Sequence, residues 1–358
     1  MMDVAALTAL ARPEIRALEP YASARAAGPP PAGAVLLNAN ELPWPPAPGS
    51  ELNRYPAPQP VTIRRRLAEI YGAGEDSLLL TRGSDEGIDL LVRVFCTAYR
   101  DRVAICPPCF GMYEIAARIQ GAGVERLPLV SSHDAALAGI DRPGLAASGA
   151  RLIFLCSPNN PTGAVIPRAE ILALAAALAG RALVVVDEAY IEFARAPSLV
   201  ADLAAVPNLV VLRTLSKAWG LAGARLGALI ARPEVVALAA RIIAPYPISR
   251  PAADSVCAAL TPAGVRRMQR NVIRIRRERA RLHEALGRLP AVEAVFPSEA
   301  NFLLIQCRAG KRLAAAARQA GILLREQSAQ TGLADCVRIT IGTKRENDRL
   351  LAFLEGRQ

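Results

Sequence analysis

The sequence predicts an α/β protein: a large domain with a mainly parallel sheet flanked by helices, and a smaller α+β domain. The chain has 358 residues, enough for about two domains that each bury their own core. Between residues 62 and 231, short apolar runs alternate with stretches of helical spacing. The run Leu-Val-Val-Val at residues 183–186 is apolar throughout, as expected for a strand covered on both faces. We therefore place the large domain at residues 33–245 and the small domain at 246–358.

The chain begins with a segment, residues 1–32, that combines a short helical start with the stiff linker Gly-Pro-Pro-Pro at 28–31. We expect this segment to pack with the small domain. A second proline-rich segment follows up to residue 60 and must lie extended on a surface, either its own or that of a partner.

The large domain then follows a regular strand, turn and helix order. Its predicted strands are residues 78–81, 102–106, 124–129, 151–156, 182–187, 209–214 and 226–231. Its predicted helices are residues 62–71, a helix opening at 83–87, and residues 112–120 and 168–179.

A cluster of prolines at residues 245–251 separates the two domains. Beyond it we predict one long helical stretch to about residue 289, with arginines on one side and apolar residues on the other. The remaining predicted strands are residues 292–296, 301–307, 322–325 and 336–341, and the remaining predicted helices are residues 311–320 and 345–355.

Composition excludes several classes of protein. The formal net charge is +11, but the arginines are scattered through helical segments without aromatic interleaving, so we expect no nucleic-acid partner. No apolar run reaches the roughly 18 residues of a membrane span, and the N-terminus lacks the apolar stretch of a signal peptide. His133 and His283 are far apart in sequence and form no metal-binding pattern. We expect a cytoplasmic protein that binds neither a membrane nor a metal.

The cysteines agree with that compartment. Their number, seven, is odd, which fits free thiols under reducing conditions better than a disulfide framework. Cys106-Pro-Pro-Cys109 has the spacing of a redox pair, but its two prolines favour a stiff turn.

Lys217 is exceptional in this composition. The chain holds 43 basic residues but only three lysines, at positions 217, 311 and 344. Arginine cannot lose its proton near neutral pH, whereas a lysine can become a free amine and form a Schiff base. Hydroxyls at Thr214 and Ser216, together with Arg225, would suit an anchored amine beside a phosphate.

Other polar side chains also follow predicted strands, where ligands bind in open α/β sheets. Asp187 ends an apolar strand and needs a cation or a helix-capping role. A protonated ring nitrogen of pyridoxal 5'-phosphate (PLP) would satisfy it. Tyr190 and Asn159 could then donate to the ring's phenolic oxygen, although Asn159 could equally be a turn residue. Ser84 opens a predicted helix, whose free amides suit a phosphate.

Seven motifs occur along the chain: NANE at 38–41, NRYP at 53–56, GSDEG at 83–87, SPNNPTG at 157–163, DEAY at 187–190, RTLSKA at 213–218 with Arg225, and CVRIT at 336–340. In this order they resemble the motifs of the fold-type I PLP enzymes, and within them the histidinol-phosphate aminotransferase group. The resemblance spans nearly the whole chain.

The resemblance implies a PLP site and a role for each matching residue. Lys217 would hold PLP covalently and later move the substrate proton. Asp187 would pair with the ring nitrogen, while Tyr190 and Asn159 would hold the phenolic oxygen. The remaining cofactor contacts would come from Ser84, Asp85, Glu86, Thr214, Ser216 and Arg225, from Phe110 at a position where the family often has tyrosine, and from Tyr55 of a partner subunit.

The resemblance also implies a substrate. Arg338 would clamp a carboxylate, and Tyr21 and Arg325 would meet a substrate phosphate. The implied reaction converts L-histidinol phosphate and 2-oxoglutarate to imidazole-acetol phosphate and L-glutamate, in a homodimer with shared active sites. Three alternatives stay open: an aromatic amino acid aminotransferase, a lyase resembling threonine-phosphate decarboxylase, and a cofactor-binding protein without catalysis.

Overall fold

The structure is a computed structural model that describes residues 4–25, 33–131 and 137–356. Its α-helices are α1 (Val4–Ala9), α2 (Pro13–Ala17), α3 (Val61–Tyr71), α4 (Ser84–Phe95), α5 (Met112–Gln120), α6 (Arg142–Ala147), α7 (Arg168–Ala177), α8 (Pro233–Ala240), α9 (Arg250–Ala259), α10 (Pro262–Gly287), α11 (Gly310–Gln319) and α12 (Lys344–Glu355). Its strands are β1 (Leu78–Thr81), β2 (Arg102–Ile105), β3 (Gly123–Arg126), β4 (Val130–Ser131), β5 (Leu137–Gly139), β6 (Leu152–Cys156), β7 (Leu183–Asp187), β8 (Leu209–Thr214), β9 (Gly227–Ile230), β10 (Val292–Val295), β11 (Phe302–Cys307), β12 (Arg325–Glu326) and β13 (Cys336–Thr340).

The large domain is built on a seven-stranded sheet in the order β1-β9-β8-β7-β6-β2-β3. Strand β9 runs antiparallel to both of its neighbours, and the other neighbouring pairs are parallel. Alternate residues of the central strands pack into two separate hydrophobic clusters, one on each face of the sheet. Burial on both faces explains why β6, β7 and β8 are apolar almost throughout. The predicted α/β fold class is confirmed.

The small domain carries a four-stranded antiparallel sheet in the order β10-β11-β13-β12. Its apolar side chains form a third cluster with residues of α10 and α12, including Leu282, Leu286 and Leu350. The two domains thus have separate cores, and α10 also contacts the segment that follows β7.

The N-terminal helices pack differently from our expectation. Leu7, Leu10 and Ala11 belong to the large-domain cluster that includes α4 and α8, and Arg241 donates hydrogen bonds to the carbonyl groups of Ile15 and Leu18. The three apolar residues are spaced by three and one along the chain, so they meet one surface and bury it there. The described part of the N-terminal segment therefore contacts the large domain, while residues 1–3 and 26–32 lie outside the described residues.

The helical stretch after the prolines is also divided differently. A break at Thr261-Pro262 separates α9 from α10, and the Thr261 hydroxyl accepts the amide N–H of Gly264 as an N-cap. Helix α9 packs Val256 onto the large-domain core. That core therefore extends beyond the expected boundary at residue 245.

Three short elements were not expected from the sequence: the β4–β5 hairpin, α6 and α8. Helix α8 is largely buried and apolar on several sides, so it lacks the amphipathic pattern that identifies a surface helix. The strand expected at residues 322–325 occurs later, as β12. All seven cysteines lie in the described ranges and are free thiols. In those ranges, no helix combines the length and the apolar character required to cross a membrane.

Candidate active site

The carboxyl ends of the parallel strands open onto one cavity of about 560 Å³. Strands β6, β7 and β8 end there at Cys156, Asp187 and Thr214, as expected for a ligand site of an open α/β sheet. Most of the site residues expected from the sequence line this cavity: Ser84, Asp85, Phe110, Asp187, Tyr190, Thr214, Ser216, Lys217, Arg225, Arg325 and Arg338.

Asp187 is a buried carboxylate, with 3% of its surface exposed. Its Oδ2 accepts a hydrogen bond from the Tyr113 hydroxyl at 2.8 Å, and its Oδ1 accepts the amide N–H of Ala189 at 3.1 Å. Burial raises the pKa of Asp187 to about 6, and these two hydrogen bonds oppose the rise. No cation of the described residues forms an ion pair with Asp187, so the carboxylate is suited to a cationic ligand in the cavity.

Lys217 lies in the connection between β8 and β9, which is closed at its base by a hydrogen bond from the Leu215 amide to the Leu226 carbonyl. Its Nζ lies 5.5 Å from the centre of the Tyr190 ring. Burial, and then the positive charge of Arg338, lower the pKa of the Lys217 ammonium. A lysine with a lowered pKa supplies a free amine more readily, as a nucleophile or a proton acceptor requires.

The helix α4 begins at one end of the cavity, and its N-terminus is suited to an anion. Gly83 precedes the helix with a φ of 81°, and a Cβ at this position would lie 2.9 Å from an Arg225 guanidinium nitrogen. A Cβ on Gly227 would lie 2.7 Å from the Ser84 amide nitrogen. The two glycines therefore keep the helix terminus open and close to Arg225. Free helix N-terminal amides beside a guanidinium attract phosphate.

Hydroxyl groups complete this site. The Ser216 hydroxyl accepts hydrogen bonds from Thr214 at 3.0 Å and from Arg225 at 3.3 Å. Arg225 also contacts Asp85 at 3.2 Å. The Glu86 side chain, by contrast, binds Arg82 through hydrogen bonds of 2.6 and 2.9 Å and does not line the cavity. We expected Glu86 to contribute to the cofactor site through the helix end. Its carboxylate is instead paired with Arg82.

The structure brings Asn160, rather than Asn159, to the cavity. The Asn159 side-chain amide donates to the Pro108 carbonyl and to the Thr162 hydroxyl, both at 2.9 Å, and is turned into the protein. Asn160 lines the cavity and donates to the Tyr190 hydroxyl at 3.4 Å. The expectation for Asn159 was therefore one residue too early. Adjacent asparagines between two prolines give no sequence signal that separates them.

The small domain supplies the opposite wall of the cavity. Arg325 and Arg338 are direct partners on β12 and β13, so their side chains start from the same face of the sheet. Arg338 donates a hydrogen bond to Asn160 and lies over the Phe302 ring, 5.3 Å from its centre. Among the residues with described positions, neither arginine forms an ion pair with a carboxylate. Two adjacent cations without a counterion are suited to an anionic ligand.

Two further expected residues, Tyr21 and Tyr55, do not reach this cavity within the single chain. Tyr21 is 74% exposed, and Tyr55 is 50% exposed and stacks on Tyr246 with ring centres 4.5 Å apart. Phe110 lines the cavity and meets the Tyr113 ring edge-on at 5.7 Å. Sequence reasoning missed Asn160, Gln327 and Gln330, which line the cavity, and Tyr113, which binds Asp187 from behind it.

Comparison with known proteins identifies the family of this chain. The sequence profile described as aminotransferase class I and II matches residues 31–354. The chain belongs to the class I and II aminotransferases.

Relatives and solved structures agree with membership of these aminotransferases. The chain is 47% identical to the histidinol-phosphate aminotransferase of Xanthomonas campestris pv. campestris, over 100% of this chain and 99% of that protein. A structure of histidinol-phosphate aminotransferase from Sinorhizobium meliloti in complex with pyridoxal-5'-phosphate is 26% identical, with a TM-score of 0.74 and coverage of 85% of this chain and 83% of that one. L-threonine-O-3-phosphate decarboxylase from Porphyromonas gingivalis is 27% identical, with a TM-score of 0.72 and coverage of 86% of this chain and 91% of that one.

Proposed function

We propose that the protein is a PLP-dependent aminotransferase that converts L-histidinol phosphate and 2-oxoglutarate to imidazole-acetol phosphate and L-glutamate. The observation that carries the proposal is the 47% identity to a histidinol-phosphate aminotransferase over the whole chain. The cavity supports it because it combines a lysine with a lowered pKa, a buried carboxylate and an anion-binding helix terminus.

The residues around the cavity fit PLP. The cofactor phosphate would occupy the helix terminus that Gly83 and Gly227 keep open, beside Ser216 and Arg225. Asp187, buried and without a cationic partner in the described chain, would meet the protonated ring nitrogen. Lys217 would hold the cofactor covalently. When bound, PLP supplies an electron sink for the carbanion formed at the substrate.

The protein's own groups account for proton movement and orientation. Lys217 faces the cavity, where its amine can take a proton from the substrate α-carbon and deliver it to the cofactor carbon that would carry the amino group. Tyr190 and Asn160 form a hydrogen-bonded pair that would hold the phenolic oxygen of the ring. Burial raises the pKa of Tyr190, so it stays a neutral donor. Phe110 would stack on the ring without adding a hydroxyl.

The arginine pair fits the two substrates of the proposed reaction. Glutamate carries a carboxylate beside its amino group, whereas L-histidinol phosphate has a phosphate and no carboxylate. Arg338 is half-buried and lies close to Asn160, where it would bind the glutamate carboxylate in a bidentate fork. Arg325, its exposed neighbour, would bind the substrate phosphate. One anion site can thus accept either partner of the exchange.

A homodimer is part of the proposal. Six large apolar side chains in the extended segment are at least half exposed: Val35, Leu37, Leu42, Trp44, Leu52 and Tyr55. A surface patch of this kind normally marks an interface. The segment is also fixed in shape, because the Glu41 carboxylate binds Arg25, Arg54 and the amide N–H of Tyr55. Tyr55 would then enter the partner's cofactor site, in a protein that works in the cytoplasm.

The enzymatic proposal is tested with purified protein loaded with PLP. We expect L-histidinol phosphate to convert the bound cofactor to its amino form and 2-oxoglutarate to restore it, with glutamate released. Phenylalanine and threonine phosphate serve as competing substrates, compared by kcat/KM. A higher kcat/KM for phenylalanine would replace the proposal with an aromatic aminotransferase, and release of carbon dioxide from threonine phosphate would replace it with a lyase.

The shared site is tested by complementation between inactive variants. Lys217→Ala removes the covalent lysine, and Tyr55→Ala removes the proposed contact from the partner. If sites are shared, random reassociation of the two variants gives heterodimers with one intact site each, and about a quarter of wild-type activity returns. Activity no higher than the sum of the separate variants would contradict the sharing of sites.

A further inference from the structure

A fully buried tyrosine lies directly behind the carboxylate of Asp187. Tyr113, in the first turn of α5, has no exposed surface, and its hydroxyl donates to Asp187 Oδ2 at 2.8 Å. Its ring stacks on Phe154 with centres 5.0 Å apart and an angle of 6° between the planes. The ring therefore has little freedom to rotate, and the hydroxyl is held at the carboxylate.

The Tyr113 hydroxyl is the one side-chain donor to Asp187 among the described residues, since the other hydrogen bond comes from the Ala189 amide. The remaining titratable groups that face the carboxylate are Asp85 on α4, Cys156 on β6, Tyr190 after β7 and Lys217 after β8. Asp85 disfavours a second negative charge and Lys217 favours it. Burial keeps the Cys156 thiol and the Tyr190 phenol neutral by raising the pKa of both groups.

We propose that Tyr113 is a positioning residue that holds Asp187 ionised and oriented toward the ring nitrogen of the cofactor. This inference rests on PLP binding as set out in the proposed function. Tyr113 does not line the cavity, so it acts through Asp187 and not by touching the cofactor or substrate.

The physical reason is the cost of a buried negative charge. Burial raises the pKa of Asp187, and the hydrogen bond from Tyr113 is the largest effect that opposes it. A phenylalanine at this position would keep the stacking on Phe154 and remove that hydrogen bond. Asp187 would then take up a proton at a higher pH than in wild type, and a neutral carboxyl group forms no ion pair with a protonated ring nitrogen.

The test measures the affinity of the apo protein for PLP by absorbance and fluorescence titration between pH 5.5 and 8.5. We expect Tyr113→Phe to weaken PLP binding about 10- to 100-fold at neutral pH, and to move upward the pH below which affinity falls. Tyr71→Phe is the matched control, because Tyr71 is a largely buried phenol against Arg213, outside the cavity. That control should leave PLP affinity within about twofold of wild type.

A double-mutant cycle separates the charge effect from packing. In the Asp187→Asn background there is no carboxylate charge to stabilise, so adding Tyr113→Phe should change PLP affinity by less than about threefold. An equal loss of affinity in both backgrounds would show that the hydroxyl acts through packing and would overturn the inference. Wild-type affinity in Tyr113→Phe at every pH would also overturn it.

The titrations contain no substrate, so their outcome is independent of which substrate the enzyme uses. A wild-type protein that binds PLP but does not act on L-histidinol phosphate would contradict the proposed function and leave the Tyr113 result intact. A wild-type protein that acts on L-histidinol phosphate, with unchanged PLP affinity in Tyr113→Phe, would contradict only the role of Tyr113.

Discussion

Replacing Asp187 by asparagine should make the apo protein more stable while it weakens the binding of PLP. The carboxylate is buried at the end of β7, and its pKa in the folded chain is about 6, compared with an ordinary value of 3.8. This difference corresponds to about 3 kcal/mol at about 1.4 kcal/mol per pH unit. Asparagine keeps an oxygen for the Ala189 amide but weakens the hydrogen bond with Tyr113, so we expect a net gain of about 2 kcal/mol.

The gain should depend on pH in a defined direction. Because the folded pKa is raised above the unfolded value, the folded state binds more protons than the unfolded state between pH 3.8 and about 6. The wild-type carboxylate therefore lowers the free energy of unfolding as pH rises through this window, and the full cost applies above pH 6. The advantage of the variant should be largest above pH 6, and near pH 4 the variant should be slightly less stable than wild type, because only the weakened hydrogen bond remains.

Urea unfolding of the apo proteins at several pH values measures this difference, with the PLP complex as a parallel sample. The PLP complex should show the opposite order, because the stabilisation by a bound ligand grows with the logarithm of its affinity and wild type binds PLP more tightly. If apo Asp187→Asn is no more stable than wild type above pH 6, then the ionised Asp187 carboxylate does not destabilise the apo protein, and the reasoning is refuted.

Three further predictions follow from the geometry of the site. Asn160→Ala should lower kcat/KM about 10- to 100-fold with little change in melting temperature. Asn159→Ala loses two buried hydrogen bonds and should mainly lower the free energy of unfolding, by about 1–3 kcal/mol. Steady-state kinetics and calorimetry of both variants test this, and the opposite pattern would show that Asn159 is the cofactor-site residue. Lys217→Ala should abolish the covalent cofactor absorbance and reduce turnover at least about 10³-fold, and turnover that persists would remove its assigned role. Arg213→Leu leaves the buried Glu188 without its cation, so urea unfolding should show a loss of about 3–5 kcal/mol, and a neutral effect would contradict this account.

The sequence alone identified the strands of the seven-stranded sheet and the polar residues that follow them. Asp187 and Lys217 could be found because each follows a long apolar run, and the carboxyl ends of neighbouring parallel strands share one edge. The choice between Asn159 and Asn160 could not be made, because it depends on the backbone path between prolines. The docking of Leu7 onto the large domain was equally inaccessible, since an amphipathic helix does not specify which core receives it.

Tyr113 illustrates a different limit of sequence reasoning. Its place on the buried face of α5 identifies it as a core aromatic, which it is. Its contact with Asp187 depends on how α5 crosses the end of β7, and this tertiary geometry has no local signal in the sequence.

The cavity is lined by residues of two domains with separate hydrophobic cores, so the residues for the cofactor and the residues for the substrate anion can change independently in evolution. Asp187 and Lys217 are fixed by the large sheet, while Arg325 and Arg338 belong to the small one. Substitutions in the small domain can therefore alter which anion is recognised without disturbing the groups that would hold the cofactor. An aminotransferase and a decarboxylase on the same fold are what this modular arrangement would allow, because new specificities can arise while the chemical centre is inherited unchanged.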